Sequence, residues 1–207
     1  MSLSYPVTAH DFRRLAERRL PGFLFDYIDG GASDELTLRA NIADFARVKL
    51  RQRVLIDVSK IDTSDTLAGE NCAMPLALAP VGLAGMMARR GEANAARVAR
   101  AAGVPFTLST VGICGFDEVR EAAGVSPWFQ LYMLRDRGVV EALLDRVWAQ
   151  GCRTLVFTID LPLPGARHRD TRHGLGMHGF RSALLRNAQA RTHLEWVGRA
   201  VVRGRPP

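Results

Sequence analysis

Four short apolar runs begin at Leu76, Phe106, Trp128 and Thr154, at spacings of 30, 22 and 26 residues. That rhythm constrains the fold more than any other feature of the chain. After the runs come helical periods of about Glu92 to Ala102, Phe116 to Ala123 and Val139 to Gln150, entered through Gly91, Gly115 and Gly138. A strand, a helix and a further strand make the βα unit of a parallel sheet, because parallel neighbours need a crossover long enough to bring the chain back to the same end. Strands are predicted over Leu76 to Ala79, Phe106 to Leu108, Trp128 to Leu131 and Thr154 to Phe157. Eight such units close a barrel of about 250 residues, and this chain of 207 residues supplies four. Beyond Asp160 only the stub Ala200-Val201-Val202 is strand-like. The four strands therefore form either an open doubly wound sheet or the front half of something longer.

The first 70 residues have a different texture. Thr8 and Asp11 approximate a capping box, and Phe12, Leu15, Ala16 and Leu20 recur at helical spacing until Pro21 stops the run. A second helix is predicted over Phe23 to Ile28, ended by Gly30-Gly31, and a third over Asp34 to Phe45 with Leu36, Leu38, Ile42 and Phe45 apolar. The expected organisation is a helical preface with connecting loops over residues 1–70, four βα units over 71–166, and an Arg-rich tail over 167–207.

Charge decides less than its total suggests. The net charge is +7, yet residues 1–166 hold 19 basic and 19 acidic side chains; residues 167–207 hold nine arginines against Asp170 and Glu195. A neutral globular part with a basic end, no zinc-finger spacing, no RNP-like strand and no Gly-Arg repeat argues against a nucleic-acid partner. No apolar run approaches the roughly 18 residues that a membrane span needs, and the start lacks the pattern of a signal peptide. Cys72, Cys114 and Cys152 are odd in number and form no CxxC pair, so neither a disulfide framework nor a metal site is encoded. The expected location is the cytoplasm.

Ligands of parallel α/β folds bind beyond the carboxyl ends of the strands. Those ends are Pro80-Val81-Gly82, Ser109-Thr110, Gln130-Leu131-Tyr132 and Thr158-Ile159-Asp160. Hydroxyl and amide groups that both donate and accept suit the polar edge of a flat heteroaromatic ring, with the backbone near Gly82 against its face. The plainer use of Ser, Thr and Asp after a strand is to cap the next helix or turn. Gln130 resists that explanation, since a long amide is not a usual cap. Neither GxGxxG nor GxxxxGK[ST] occurs, so a Rossmann or P-loop nucleotide site has no support.

Five blocks, LPGFLFDYIDGGASDELTLRAN, MPLALAPVGLAGMMARRGE, PFTLSTVG, WFQLYMLRDRG and TLVFTIDLPLPGARHRD, resemble in order and spacing the FMN-dependent α-hydroxy acid dehydrogenases, in particular the bacterial quinone-linked L-lactate dehydrogenases. The resemblance covers about residues 8 to 180. It implies the N-terminal half of a (β/α)8 TIM barrel with a helical preface and FMN at the carboxyl ends of the strands. It implies backbone contacts to the flavin from Pro80, Val81 and Gly82, and hydrogen bonds to its ring from Ser109, Gln130 and Thr158. Tyr27, Tyr132 and Arg167 would hold a small 2-hydroxy acid, the guanidinium forking onto its carboxylate. Asp160 would orient the catalytic histidine. Lactate and a larger acid such as mandelate both fit, and Gly82 leans toward a dehydrogenase rather than an oxidase.

The family's proton-abstracting histidine, its lysine, its second arginine and its phosphate loops belong to the later strands. None of His10, His168, His173, His178 and His193 matches the base; each reads as an exposed side chain. The expectation is an inactive fragment of an enzyme whose acceptor is a quinone or similar compound, or else a non-catalytic half-barrel that binds a complementary chain. A half barrel is also expected to leave inward members of the set Leu76, Leu78, Leu108, Leu131, Leu155 and Phe157 uncovered. From Met177 the tail sets Phe180, Leu184, Leu185, Trp196, Val197 and Val201 among arginines. This pattern fits a peripheral contact with the inner membrane and fits a solvated or disordered end equally well. A homo-oligomer is left open.

Overall fold

The computed structural model describes residues 5–160, 163, 165–175 and 180–202. They form two compact units, Leu55–Pro162 and a second made of Met1–Val54 with Leu163–Pro207.

The first of these opens with an antiparallel hairpin, β1 (Asp65–Leu67) and β2 (Glu70–Cys72), turned at Ala68-Gly69 with both residues at positive φ. Apolar periodicity does not announce this hairpin, because its strands are three residues long and mostly exposed. Helix and strand then alternate: α4 (Ala84–Met87), α5 (Gly91–Ala101), β3 (Thr107–Ser109), α6 (Phe116–Ala123), β4 (Trp128–Tyr132), α7 (Arg137–Ala149) and β5 (Leu155–Thr158). The order β3-β4-β5 is parallel throughout, and the register pairs Ser109 with Gln130, Gln130 with Val156, and Tyr132 with Thr158.

The strand expected over Leu76 to Ala79 is reduced to one parallel bridge, Leu78 to Phe106. The Leu78 amide donates to the Pro105 carbonyl at 2.8 Å and the Thr107 amide to the Leu78 carbonyl at 3.0 Å. Pro75 and Pro80 bracket this segment, and residues without an amide hydrogen cannot extend a ladder. Two of the helix entries also differ from expectation. Arg90, in the left-handed conformation, precedes α5 in place of a glycine entry. Asp136 caps α7 by accepting from the Gly138 and Val139 amides, a stronger device than glycine alone.

Strand alternation sorts the side chains. Leu108, Phe129 and Leu131 join Ala93 and Ala96 of α5, Phe116 and Val119 of α6, and Val140 and Val147 of α7 in one buried cluster. Phe116 and Phe129 meet edge to face at 6.2 Å between centroids. The expected uncovered apolar row is therefore only half realised. Leu108 and Leu131 are 2% exposed, whereas Leu155 and Phe157 of the edge strand are 47% and 46% exposed.

The second unit holds α1 (Ala9–Arg19), α2 (Gly22–Asp29), α3 (Leu36–Ala43), α8 (His168–Arg172), α9 (Phe180–Arg191) and α10 (Leu194–Trp196). The capping box at Thr8 and Asp11 forms in full. The third predicted helix starts at Leu36 and not Asp34, because Glu35 takes a left-handed φ of 57°, and it ends in a 3-10 turn over Asp44–Arg47. Helix α2 buries Phe23, Leu24 and Phe25. In the tail, Trp196 turns edge-on to Phe23 at 6.3 Å, while Leu184 and Leu185 stay exposed. Met177 and residues 203–207, and the side chains of Phe180 and Val201, lie outside the described residues. Among the described residues no helix is long and apolar enough to cross a membrane.

Truncating Phe129 to Ala is expected to cost about 3–5 kcal/mol in urea unfolding, the usual cost of a large cavity in a packed core. Leu155→Ala on the half-exposed edge is expected to cost about 1 kcal/mol or less. Equal losses at the two positions would mean that the core is not centred on Phe129 under the helices.

Candidate functional site

The face of the sheet opposite the apolar cluster is polar at its carboxyl end. Ser109, Gln130 and Thr158 stand side by side there because the parallel register puts Ser109 beside Gln130, and Thr158 lies two residues past Val156, Gln130's other partner. The Ser109 hydroxyl donates to Gln130 Oε1 at 3.1 Å, and Gln130 Nε2 donates to the Thr158 hydroxyl at 2.9 Å. Gln130 is 1% exposed, and its Oε1 also accepts the Thr110 amide at 3.2 Å. Thr110 continues the lattice: its hydroxyl donates to the Gln130 carbonyl and accepts the Tyr132 amide. Gln130 is thus the hub of a polar row across three strands. Its orientation is fixed by two donors on the oxygen and one acceptor on the nitrogen. Among the described residues, one Gln130 amide hydrogen and the Thr158 hydroxyl hydrogen take no acceptor, so the row ends in unused donors.

Pro80, Val81 and Gly82 lie in the loop after the Leu78 bridge, where Val81 is exposed. Leu83, at a left-handed φ of 57°, donates its amide to the Val111 carbonyl at 3.0 Å and so ties this loop to the one after β3. Tyr132 closes β4 half-buried. Asp160 follows β5, exposed and without a partner among the described residues.

Tyr27 and Arg167 belong to the other unit. The Arg167 guanidinium lies 5.5 Å from the centre of the Tyr27 ring, donates to the Tyr27 carbonyl, and pairs with Asp170 through Nε. Beside them is an ion-pair network that residue patterns did not reveal. Arg169 reaches Asp26 at 2.5 Å, Asp29 at 3.0 Å and Glu35 at 3.4 Å; Arg13 grips Asp29 with two bonds of 2.5 and 2.7 Å. Burial works against the Arg169 charge, but hydrogen bonds to Asp26 and Asp29 outweigh it and raise its pKa. His173, expected as an exposed side chain, is half-buried. It pairs through Nε2 with Asp26 at 2.9 Å and through Nδ1 with the Gln189 amide at 3.0 Å. The available signal was the spacing of three between Asp26 and Asp29, which puts both carboxylates on one face of α2. Their partner was hidden among nine tail arginines. Glu92, buried at the start of α5, also escaped notice.

The model of the family described as FMN-dependent dehydrogenase matches residues 16–204. L-lactate dehydrogenase of Alcaligenes faecalis is 55% identical over 95% of this chain and 51% of its own length. That of Caulobacter vibrioides is 57% identical over the same shares. The solved structure of monotopic membrane protein (S)-mandelate dehydrogenase superposes with a TM-score of 0.82 at 31% identity, covering 96% of this chain and 52% of that one. Mandelate oxidase with (S)-4-hydroxymandelic acid gives 0.76 at 39% identity, over 82% and 47% of the two chains. The chain spans about half the length of the curated relatives it matches.

Asp29 supplies a test of the network. Arg13's hydrogen bonds hold its carboxyl below the ordinary value of 3.8, with burial opposing and Arg169 assisting. A carboxyl depressed on folding contributes stability above its ordinary value, and that contribution is lost as the pH falls through the folded value. Asp29→Asn is therefore expected to lower the unfolding midpoint at neutral pH and to flatten its fall below about pH 4. An acid limb as steep as that of the unchanged chain would exclude this role.

Proposed function

We propose that this chain, which belongs to the FMN-dependent dehydrogenase family, supplies the flavin cradle and part of the substrate site of an enzyme that oxidises a small L-2-hydroxy acid, with L-lactate to pyruvate as the favoured case. The supporting observation is the Ser109–Gln130–Thr158 row, which ends in unused donors at the carboxyl end of a parallel sheet. Those donors fit the acceptor atoms of a flavin ring, and the backbone of Pro80 to Gly82, held by the Leu83–Val111 bond, fits its face. The chemistry FMN supplies when bound is acceptance of two electrons. Arg167 and the phenols of Tyr27 and Tyr132 bind and orient the substrate carboxylate and oxygen, and Arg167 arrives pre-aligned by Asp170 and the Tyr27 carbonyl.

Oxidation of the alcohol carbon also requires a base for the hydroxyl proton. Asp160 is the carboxylate that would orient a histidine in that role, and among the described residues it stands exposed and without a partner. His173 is engaged by Asp26 and Gln189, and His178 lies outside the described residues. Residues 71–166 accordingly hold the ring, the preface and tail contribute the substrate grip, and the base and phosphate loops come from the other half of a barrel. A quinone or similar compound takes the electrons onward, and the tail lends a peripheral membrane contact, a reading supported by the monotopic relative. The uncovered Leu155 and Phe157 favour a second reading, a non-catalytic half-barrel that pairs with a complementary chain.

The 207-residue chain alone is expected to aggregate readily and to show no L-lactate-dependent dye reduction. Joined to the later half of a relative's barrel, it is expected to purify yellow and to reduce the dye, with Gln130→Leu lowering flavin content. A well-behaved monomer that turns over L-lactate unaided would overturn the fragment reading; a colourless joined protein would overturn the flavin reading.

A further inference from the structure

We infer that Glu92 is a positioning residue, a buried clasp that holds the loop after the first strand position against the loop after β3. Its role toward the ring rests on the function proposed above. Glu92 sits in the first turn of α5, is 2% exposed, and pairs with no cationic side chain among the described residues. A single oxygen, Oε1, accepts the Gly85 amide and the Ile113 amide, each at 2.9 Å. The first of those amides opens α4 just beyond Pro80-Val81-Gly82, and the second belongs to the loop that follows Ser109. With the Leu83–Val111 bond, three hydrogen bonds span the two loops.

The fit is close at two glycines. A Cβ on Gly85 would lie 2.7 Å from Ile113 Cβ and 2.9 Å from Glu92 Oε2, and a Cβ on Gly91 would lie 2.5 Å from the Ala84 carbonyl oxygen. An acceptor serving two loops from a helix start has an electrostatic reason to be a carboxylate, since the amino end of α5 favours negative charge. An apolar residue there would leave two amide donors unpaired, the Gly85 amide in the interior and the Ile113 amide partly buried. The clasp sets where the backbone of Val81 and Gly82 stands relative to Ser109.

The experiment is amide hydrogen exchange on the dilute chain and on E92Q, E92D and E92L. E92Q keeps a carbonyl oxygen at the same reach. E92D keeps the charge but falls one methylene short, and it decides the matter if E92L does not fold. Exchange at Gly85 and Ile113 is expected to rise about tenfold or more in E92D and E92L and to stay near the starting level in E92Q, with Phe129 and Leu131 unchanged. Unaltered exchange in E92D, or a rise in E92Q as large as in E92D, overturns the clasp. Quenching of FMN fluorescence by the same variants joined to the later half of a relative's barrel separates the two readings. Absence of quenching by the unsubstituted joined protein, with the exchange pattern as expected, supports the clasp and counts against the flavin cradle. Where FMN is bound, a Kd about tenfold weaker in E92D and restored in E92Q is expected, and equal Kd values in all variants overturn the positioning role.

Discussion

Everything in the Leu55–Pro162 unit depends on one register, the parallel pairing that puts Ser109 beside Gln130 and Tyr132 beside Thr158. Side chains alternate across a strand, so a slip of one residue in β4 would send Gln130 under the helices and Phe129 and Leu131 to the other face. The slipped state would strand a buried amide without partners, a cost of about 2–7 kcal/mol, and uncover two large apolar side chains at roughly 1.5–3 kcal/mol each. Packing and polar bonding therefore select the same alignment. The residues that bond along the polar face are located by the residues that pack along the apolar one.

This also explains which parts of the molecule were legible in the sequence. Helix α6 matched its predicted limits from Phe116 to Ala123, and β4 and β5 fell within a residue of theirs, because period and apolarity report burial against a neighbour. The hairpin of β1 and β2 was not legible, since it is held by backbone bonds and has little apolar periodicity. The Leu76 to Ala79 run had a strand's composition but is flanked by prolines that limit it to one bridge. At the candidate site, Gln130 stood out by residue type alone. Glu92 did not, because a glutamate in the first turn of a helix is ordinary on a surface, and only the fold reveals that this surface is covered.

The two units use charge in different ways. Glu92 takes up two backbone amides and pairs with no cation among the described residues, whereas Asp26, Asp29 and Glu35 share Arg169, with Arg13 and His173 completing the set. Pairs of this partly buried kind add little when compared with well-packed apolar substitutes, yet removal of one partner is costly because it leaves the others unneutralised. Their value here is geometric: Arg169 and Arg167 lie two residues apart, so a network that fixes one also limits where the other can point.

The carboxylates of α2 and the loop after it are separated from Arg169 by 143, 140 and 134 residues along the chain. A ribosome delivers them long before it delivers Arg169, although Arg13, 16 residues ahead of Asp29, is already present. Until then Asp26 and Glu35 lack that partner and Asp29 has Arg13 alone, while the parallel pairings of β3, β4 and β5 emerge and can consolidate in the interval. Helix α2, made well before Arg169, is thus among the last parts to acquire its final neighbours.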